Sequence, residues 1–298
     1  MAEAPLLQRE MDRVRAEIDA LFEELLAPPA DPRARLYEAM RYAAIGGGKR
    51  LRPLLVVAAC ALFHADRSRA LRVAAAVECI HVYSLIHDDL PSMDDDELRR
   101  GKPTVHRAFD EACAILAGDS LHALAFEILA DEATHEDPFV RIELVAELAR
   151  AAGPAGMAGG QMMDLNAAAA GLDLPGVTRL QQLKTGALIA FCLEAGAIMG
   201  RLPVEGRTRF RGYARDVGLA FQIADDLLDE EGSEARTGKR VGKDRDRGKE
   251  TFVSLLGRDR ARQQAELLVR QAIEYLDRYG AEADLLREIA RFAVERDH

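Results

Sequence analysis

The chain contains no tryptophan, and aromatic residues make up only 5% of its 298 residues. β-Branched and aromatic runs of the kind that fit a pleated sheet are scarce, and no convincing alternating strand appears. The abundance of Ala, Leu, Glu and Arg favours helix instead. Cysteine is limited to Cys60, Cys79, Cys113 and Cys192, each alone in an apolar stretch. Without a CxxC pair or a suitably spaced His, this pattern argues against zinc and fits buried, reduced thiols. An excess of positive charge is also missing. The net charge of −10 argues against nucleic acid as a partner. Residues 1–8 lack a basic start and an apolar core, so no secretory signal is expected. No charge-free apolar run reaches membrane-spanning length, so no membrane span is expected and the expected location is cytoplasmic.

What the chain does have is helical periodicity from end to end. Leu7, Met11, Val14, Ile18, Leu21 and Leu25 recur at three and four residues, a pattern that stops at Pro28-Pro29. Further helices are expected at about 32–45, 50–65 with Pro53 in its first turn, and 68–89 with Ser68 as cap. The pattern continues at about 107–133, 138–152, 155–168, 176–200 and 206–230, then, after a polar segment, at 251–256, 259–279 and 282–296. No Pro/Gly/Ser-rich linker interrupts it. The expected architecture is therefore all-α, one domain over residues 1–298.

Two aspartate clusters break the apolar patterning: Asp88-Asp89-Leu90-Pro91-Ser92-Met93-Asp94-Asp95-Asp96 and Asp225-Asp226-Leu227-Leu228-Asp229. Carboxylates at a helix C-terminal end meet the negative pole of its dipole and repel one another. Two such clusters after apolar helices imply neutralising cations. Hard divalent ions with oxygen ligands suit them, Mg²⁺ above all, since it shares its shell with water and substrate phosphates. Asp225 and Asp229, four apart, share a helix face, whereas Asp226 is turned by about 100°. Asp88 and Asp94 would diverge on a continuous helix, but Pro91 ends it and lets the chain fold back. Solvated acidic caps are the alternative, weakened by the basic segments that accompany both clusters.

Gly47-Gly48-Lys49-Arg50-Leu51-Arg52 sets three cations at a helix start, a position suited to phosphate. It is not a P-loop, because no strand precedes it and no Lys-Ser/Thr ends it. Arg99-Arg100 follow the first acidic cluster directly. Lys184-Thr185 open an otherwise apolar stretch, and a cation facing a core requires an anionic partner. Thr237-Gly238-Lys239 and Gly248-Lys249-Glu250-Thr251 bracket a charged segment with Gly hinges, readable as solvated loop or as a lid over phosphates. His81 and Tyr83 lie on the helix that leads to Asp88.

Taken in order, these motifs resemble the trans-polyprenyl diphosphate synthases, most closely the bacterial farnesyl diphosphate synthases. The resemblance rests on GGKRLRP at 47–53, DDxxxxD at 88–94, RRGKPT at 99–104, KT at 184–185, FQIADD at 221–226, DDxxD at 225–229 and GKET at 248–251. It implies the isoprenoid synthase fold, a bundle of ten or more helices around a central cavity, with three Mg²⁺ per site and a homodimer. It implies Asp88, Asp94 and Asp225 as principal metal ligands, with Asp89, Asp226 and Asp229 in support. Arg99, Lys184, Lys239 and Lys249 would grip the allylic diphosphate, and Lys49, Arg52, His81 and Arg100 the isopentenyl diphosphate. Thr185 and Gln222 would lie beside the reacting allylic carbons.

The chemistry so implied is Mg²⁺-assisted ionisation of dimethylallyl or geranyl diphosphate, 1′-4 coupling to isopentenyl diphosphate and loss of a proton, giving (2E,6E)-farnesyl diphosphate. Tyr83, five residues before Asp88, is the expected floor of the product pocket. The small Ser84 leaves room for some C20 product. The alternatives are a geranylgeranyl diphosphate synthase and, in a different class, a non-catalytic subunit of a heteromeric prenyl synthase, although such subunits typically lack one acidic motif.

Overall fold

The first helix forms where apolar residues recur at three and four, but towards its end the buried row runs through Phe22 and Leu26 and not through the expected Leu21 and Leu25, which stay half-buried. In α1 (Leu6–Leu25), Met11, Val14, Ile18 and Phe22 are buried, with Leu26 closing the row just beyond. The computed structural model describes residues 5–231 and 249–295. The chain forms two compact units, Met1–Val145 and Ala146–His298.

In the first unit α2 (Ala34–Ala44) is followed by α3 (Leu51–Leu62), which carries Pro53 in its first turn, where a missing N–H costs no helical bond. Burial of α3 is continuous from Pro53 to Cys60. It packs on α4 (Arg67–Asp88), which in turn packs on α6 (Glu111–Ala130). The α4 cap is Asp66, not the expected Ser68: the Asp66 carboxylate accepts from the Arg69 amide at 3.1 Å, and Ser68 donates to that same carboxylate. The expected 107–133 helix is broken into α5 (Val105–Ala108) and α6, because Asp110 adopts extended backbone and caps α6 through the Cys113 amide. Two short strands, β1 (Leu98–Arg99) and β2 (Lys102–Pro103), pair antiparallel where no strand was expected. Helix α7 (Pro138–Ala152) matches its expected bounds.

The second unit contains α8 (Met157–Leu165), α9 (Ala167–Ala170) and α10 (Leu174–Gln181). The expected helix over 176–200 is not uniform. A π-helical segment at Gln182–Gly186 separates α10 from α11 (Ala187–Met199). Helix α11 is buried from Leu188 to Met199 except at Ala190, so it sits in the core of its unit. Helix α12 (Thr208–Glu231) packs on α11 and on the π segment. Tyr213 is fully buried on it and donates to the Leu286 carbonyl at 2.7 Å, as a buried phenol must find a partner. Helices α13 (Phe252–Leu256), α14 (Arg258–Glu274) and α15 (Asp284–Glu295) complete the unit. A reciprocal Thr251–Ser254 capping box starts α13.

All four cysteines are free and buried, and burial pushes the Cys60 thiol up to about 12. By length and composition alone, Arg67–Asp88, Glu111–Ala130 and Leu174–Met199 would suffice to cross a membrane, which the sequence reading did not anticipate. Of those apolar windows, 61%, 44% and 56% is buried inside the protein, so much of their apolar surface serves the core.

Candidate active site

Helix α4 ends at Asp88, and Pro91 turns the chain back as expected. The Asp94 amide donates to the Asp88 carbonyl at 2.8 Å, Asp95 to Leu90 at 3.1 Å and Asp96 to Asp89 at 3.3 Å. Asp95 takes the left-handed conformation, with φ 52°, that this tight return requires. Asp88 and Asp94 thus belong to one hydrogen-bonded loop at the negative pole of α4.

Asp89 behaves differently from its neighbours. Its side chain is buried, and Arg99 closes on it from β1 through Nε, 2.8 Å from both carboxylate oxygens, and Nη2 at 2.6 Å. Burial, the larger effect, pushes the Asp89 carboxyl up, and Arg99 pulls against it. Two residues assigned to separate ligands are therefore partners in this structure. The Arg100-Gly101 turn that joins β1 to β2 has φ 53° and 75°, the positive pair that a two-residue hairpin of type I′ demands. The Tyr42 hydroxyl fixes the hairpin by donating to the Pro103 carbonyl at 2.8 Å.

The glycines of the first basic motif make room for this turn. A Cβ on Gly48 would lie 2.6 Å from Arg100 Nη2, and one on Gly47 2.8 Å from Nη1. Around them lies a cavity of about 170 Å³ whose lining includes Gly46–Gly48, Val82, Leu85, Ile86, Asp89, Arg99 and Arg100. His81 stands on α4 one turn before Leu85. Burial and the guanidiniums of Arg52, Arg100, Arg99 and Arg50 hold its imidazole well below the usual range. It is neutral near pH 7 and carries one ring N–H donor. Lys49 is exposed and Arg52 lies in the first turn of α3. Arg50, between them, is not a ligand but core: its side chain is 1% exposed, pairs with Glu78 and Asp19 at 2.6 Å each, and donates to the Ala44 carbonyl.

Tyr83 is half-buried on α4, its ring edge-on to His122 of α6 at 4.9 Å and to His87 at 5.7 Å. Ser84 returns its hydroxyl to the His81 carbonyl at 2.8 Å.

In the second unit Lys184 and Thr185 lie within the π segment, a geometry found disproportionately at functional sites. Gly218 of α12 faces Gly186, a Cβ on the former lying 3.5 Å from the Cα of the latter. Gln222, one turn further along α12, and Asp225 follow on the same side. Asp225 is exposed, while Asp226 and Asp229 are half-buried. Asp226 has a structural duty as well: its Oδ2 accepts from the Phe252 amide at 2.9 Å, at the start of α13. The anionic partner that Lys184 required is Asp164 on α8, whose Oδ2 accepts from Lys184 Nζ and from Lys249 Nζ, each at 2.8 Å. Burial acts to raise the Asp164 carboxyl, but the two lysines outweigh it and hold it below its ordinary range.

Asp164 escaped the sequence reading, as did Gln161, whose two side-chain polar atoms are buried without a hydrogen-bond partner. The available signal was Gly159-Gly160 inside a helical pattern, since paired glycines disfavour helix and need a packing reason. Lys239, and the lid expected over 231–249, fall almost wholly outside the described residues.

Among the described residues no three His, Cys, Asp or Glu side chains form a ready-made metal cage. The donors present are hard carboxylate oxygens, few per cluster, as in sites where Mg²⁺ takes one or two carboxylates and completes its shell with water and phosphate. The residues therefore fit Mg²⁺.

The polyprenyl synthetase family model matches residues 33–290, and the chain belongs to that family. It is 45% identical over 285 residues to farnesyl diphosphate synthase of Escherichia coli, covering 91% of this chain and 93% of that protein. It is 47% identical over 245 residues to a chloroplastic geranylgeranyl pyrophosphate synthase of Arabidopsis thaliana, covering 81% and 69% respectively. The crystal structure of an FPP/GFPP synthase from Zymomonas mobilis superposes with a TM-score of 0.90 at 62% identity, covering 97% of this chain and 99% of that one. The fold is the all-α isoprenoid synthase fold.

Proposed function

We propose that the protein is a trans-prenyltransferase that condenses isopentenyl diphosphate with dimethylallyl or geranyl diphosphate to give (2E,6E)-farnesyl diphosphate. The observation that carries this reading is the return of Asp94 onto Asp88 at the end of α4, in a family member that keeps its second acidic motif and every basic motif in order. The continuous family match over 33–290 supports one polyprenyl synthase domain spanning both units.

When bound, Mg²⁺ (three ions per site by family resemblance) would supply neutralisation of the charge on a departing diphosphate. Asp88, Asp94 and Asp225 would be its principal ligands, with Asp89, Asp226 and Asp229 in support; Asp89 acts by orienting Arg99. A guanidinium has five N–H donors. With Nε and Nη2 on Asp89, Arg99 keeps Nη1 for the allylic diphosphate, which Lys184, Lys239 and Lys249 also hold. Fixed cations at the leaving group stabilise the transition state without reorganising. The Thr185 hydroxyl and Gln222 amide oxygen turn the negative ends of their dipoles to the allylic cation and add no strong nucleophile. Lys49, Arg52 and Arg100 bind isopentenyl diphosphate, and neutral His81 donates its ring N–H. The apolar lining of Val82, Leu85 and Ile86 suits the hydrocarbon part. By family resemblance, the released diphosphate takes the final proton.

Diphosphate release tests whether ionisation of the allylic substrate is coupled to condensation with isopentenyl diphosphate. Release is expected only with isopentenyl diphosphate, geranyl diphosphate and Mg²⁺ together. Release from geranyl diphosphate alone, at a comparable rate, would contradict it.

Tyr83 sets product length in this account, its ring braced by His122. Tyr83→Ala is expected to shift the main product from C15 to C20 or longer while leaving diphosphate release within about threefold, because a pocket contact discriminates by 1–3 kcal/mol and does no chemistry. An unchanged chromatographic product profile would remove Tyr83 from that role. The small Ser84, and the similarity to geranylgeranyl pyrophosphate synthases, support a second reading in which C20 is already a secondary product of the unmodified protein. A homodimer is part of the proposal: Ile115 and Leu116 are 44% and 54% exposed on α6 and would be covered. A cytoplasmic location fits the same reading.

A further inference from the structure

Two lysines meet at one oxygen atom in the second unit. Asp164 Oδ2 accepts from Lys184 Nζ and Lys249 Nζ at 2.8 Å each. The carboxylate is 14% exposed and the Lys249 side chain 11%, so water screens the cluster little. Ammonium groups this close repel, and in a partly dehydrated site the repulsion is strong. One carboxylate accepting from both offsets that repulsion.

Helix α8 also fixes the backbone of the same residue. Gly160 stands one turn before Asp164, on the same face. A Cβ at Gly160 would lie 2.2 Å from the Lys184 amide nitrogen and 2.5 Å from its Cα, both backbone atoms. Only glycine lets α8 touch the π segment there. One face of α8 therefore locates Lys184 twice, by its backbone at Gly160 and by its ammonium at Asp164.

We propose that Asp164 is a positioning residue for the allylic diphosphate: on a helix seated by Gly160 it preassembles Lys184 and Lys249 into a single cationic clamp before substrate arrives. This rests on the assignment of those two lysines to the allylic diphosphate. Without the carboxylate the ammonium groups separate, and the incoming diphosphate must gather them. The cost falls on the allylic substrate alone, because isopentenyl diphosphate is assigned to residues of the other unit.

The test uses the full-length protein and Asp164→Asn, with lysines reductively methylated with a ¹³C label and the Lys184 and Lys249 signals assigned from Lys184→Arg and Lys249→Arg. In ligand-free Asp164→Asn both signals are expected to shift, with the other lysine signals in place. KM for geranyl diphosphate is expected to rise about tenfold, the usual size of a lost charged hydrogen bond, with KM for isopentenyl diphosphate within about twofold. Asp164→Glu, which retains the carboxylate, is expected to recover most of that loss, and Asp164→Ser serves as the test variant if the Asn form does not fold. Unmoved lysine signals, or an equal rise in both KM values, would overturn the proposal. The lysine spectra need no substrate, so they judge the clamp even if the unmodified protein fails to turn over.

Discussion

Asp88→Ala is expected to abolish nearly all turnover and yet leave the protein folded, with little change in stability. Asp88 is the last residue of α4, and its side chain adds negative charge to the negative pole of that helix. Removing a carboxylate from such a position gains about 0.3–1 kcal/mol against the dipole, and the attraction of Asp88 to the Arg99 guanidinium offsets part of that gain. The return of the chain does not depend on the side chain, since Asp94 is held by the Asp88 carbonyl. Turnover should fall by about 10²–10³-fold or more, the usual loss when one stabiliser of developing charge is removed, and Asp225→Ala on α12 should fall comparably. Steady-state kinetics at saturating Mg²⁺, with urea unfolding of the same preparations, check both halves. A loss of activity matched by a loss of stability would mean that the aspartates are structural. A fold that retains repulsive carboxylates at a helix end does so for function.

The opposite behaviour is expected of a cation only two residues from one assigned to substrate. Arg50→Ala should destabilise the protein by about 3–5 kcal/mol, the cost of breaking a buried ion pair from one side. Its side chain is 1% exposed and that of Glu78 3%, and removal strips Glu78 of its guanidinium. Arg50 also has φ 49°, which glycine adopts without penalty. Arg50→Gly should therefore lose about 1 kcal/mol less than Arg50→Ala, because it relieves backbone strain but not the orphaned charge. Replacing Arg50 and Glu78 together by leucine should recover much of the loss, since a buried pair is often matched by apolar packing. Urea midpoints at constant slope give these values. An Arg50→Ala protein of undiminished stability with a raised KM for isopentenyl diphosphate would return Arg50 to the substrate site.

Helix positions were legible in the sequence because each buries an apolar face, and even the return of Asp94 to Asp88 could be read from Pro91. Partner choice was not legible. Asp89 meets Arg99 across a hairpin whose type I′ turn puts a non-glycine residue, Arg100, at positive φ, a conformation sequence preference disfavours. Of the adjacent cations Lys49, Arg50 and Arg52, only the left-handed backbone at Arg50 singles out the one that turns into the core. The π segment is invisible to a periodicity argument because one extra residue in a turn leaves the apolar composition unchanged. Asp164 went unseen for a related reason: its lysines lie 20 and 85 residues away, and only tertiary packing brings them to one oxygen.

The most direct test of the central claim is product analysis after incubating the full-length protein with labelled isopentenyl diphosphate and geranyl diphosphate, with Mg²⁺ and with a chelator. A C15 diphosphate formed as the main product with Mg²⁺, and none with the chelator, is the predicted result. Folded protein that condenses neither geranyl nor dimethylallyl diphosphate at any Mg²⁺ concentration would contradict it.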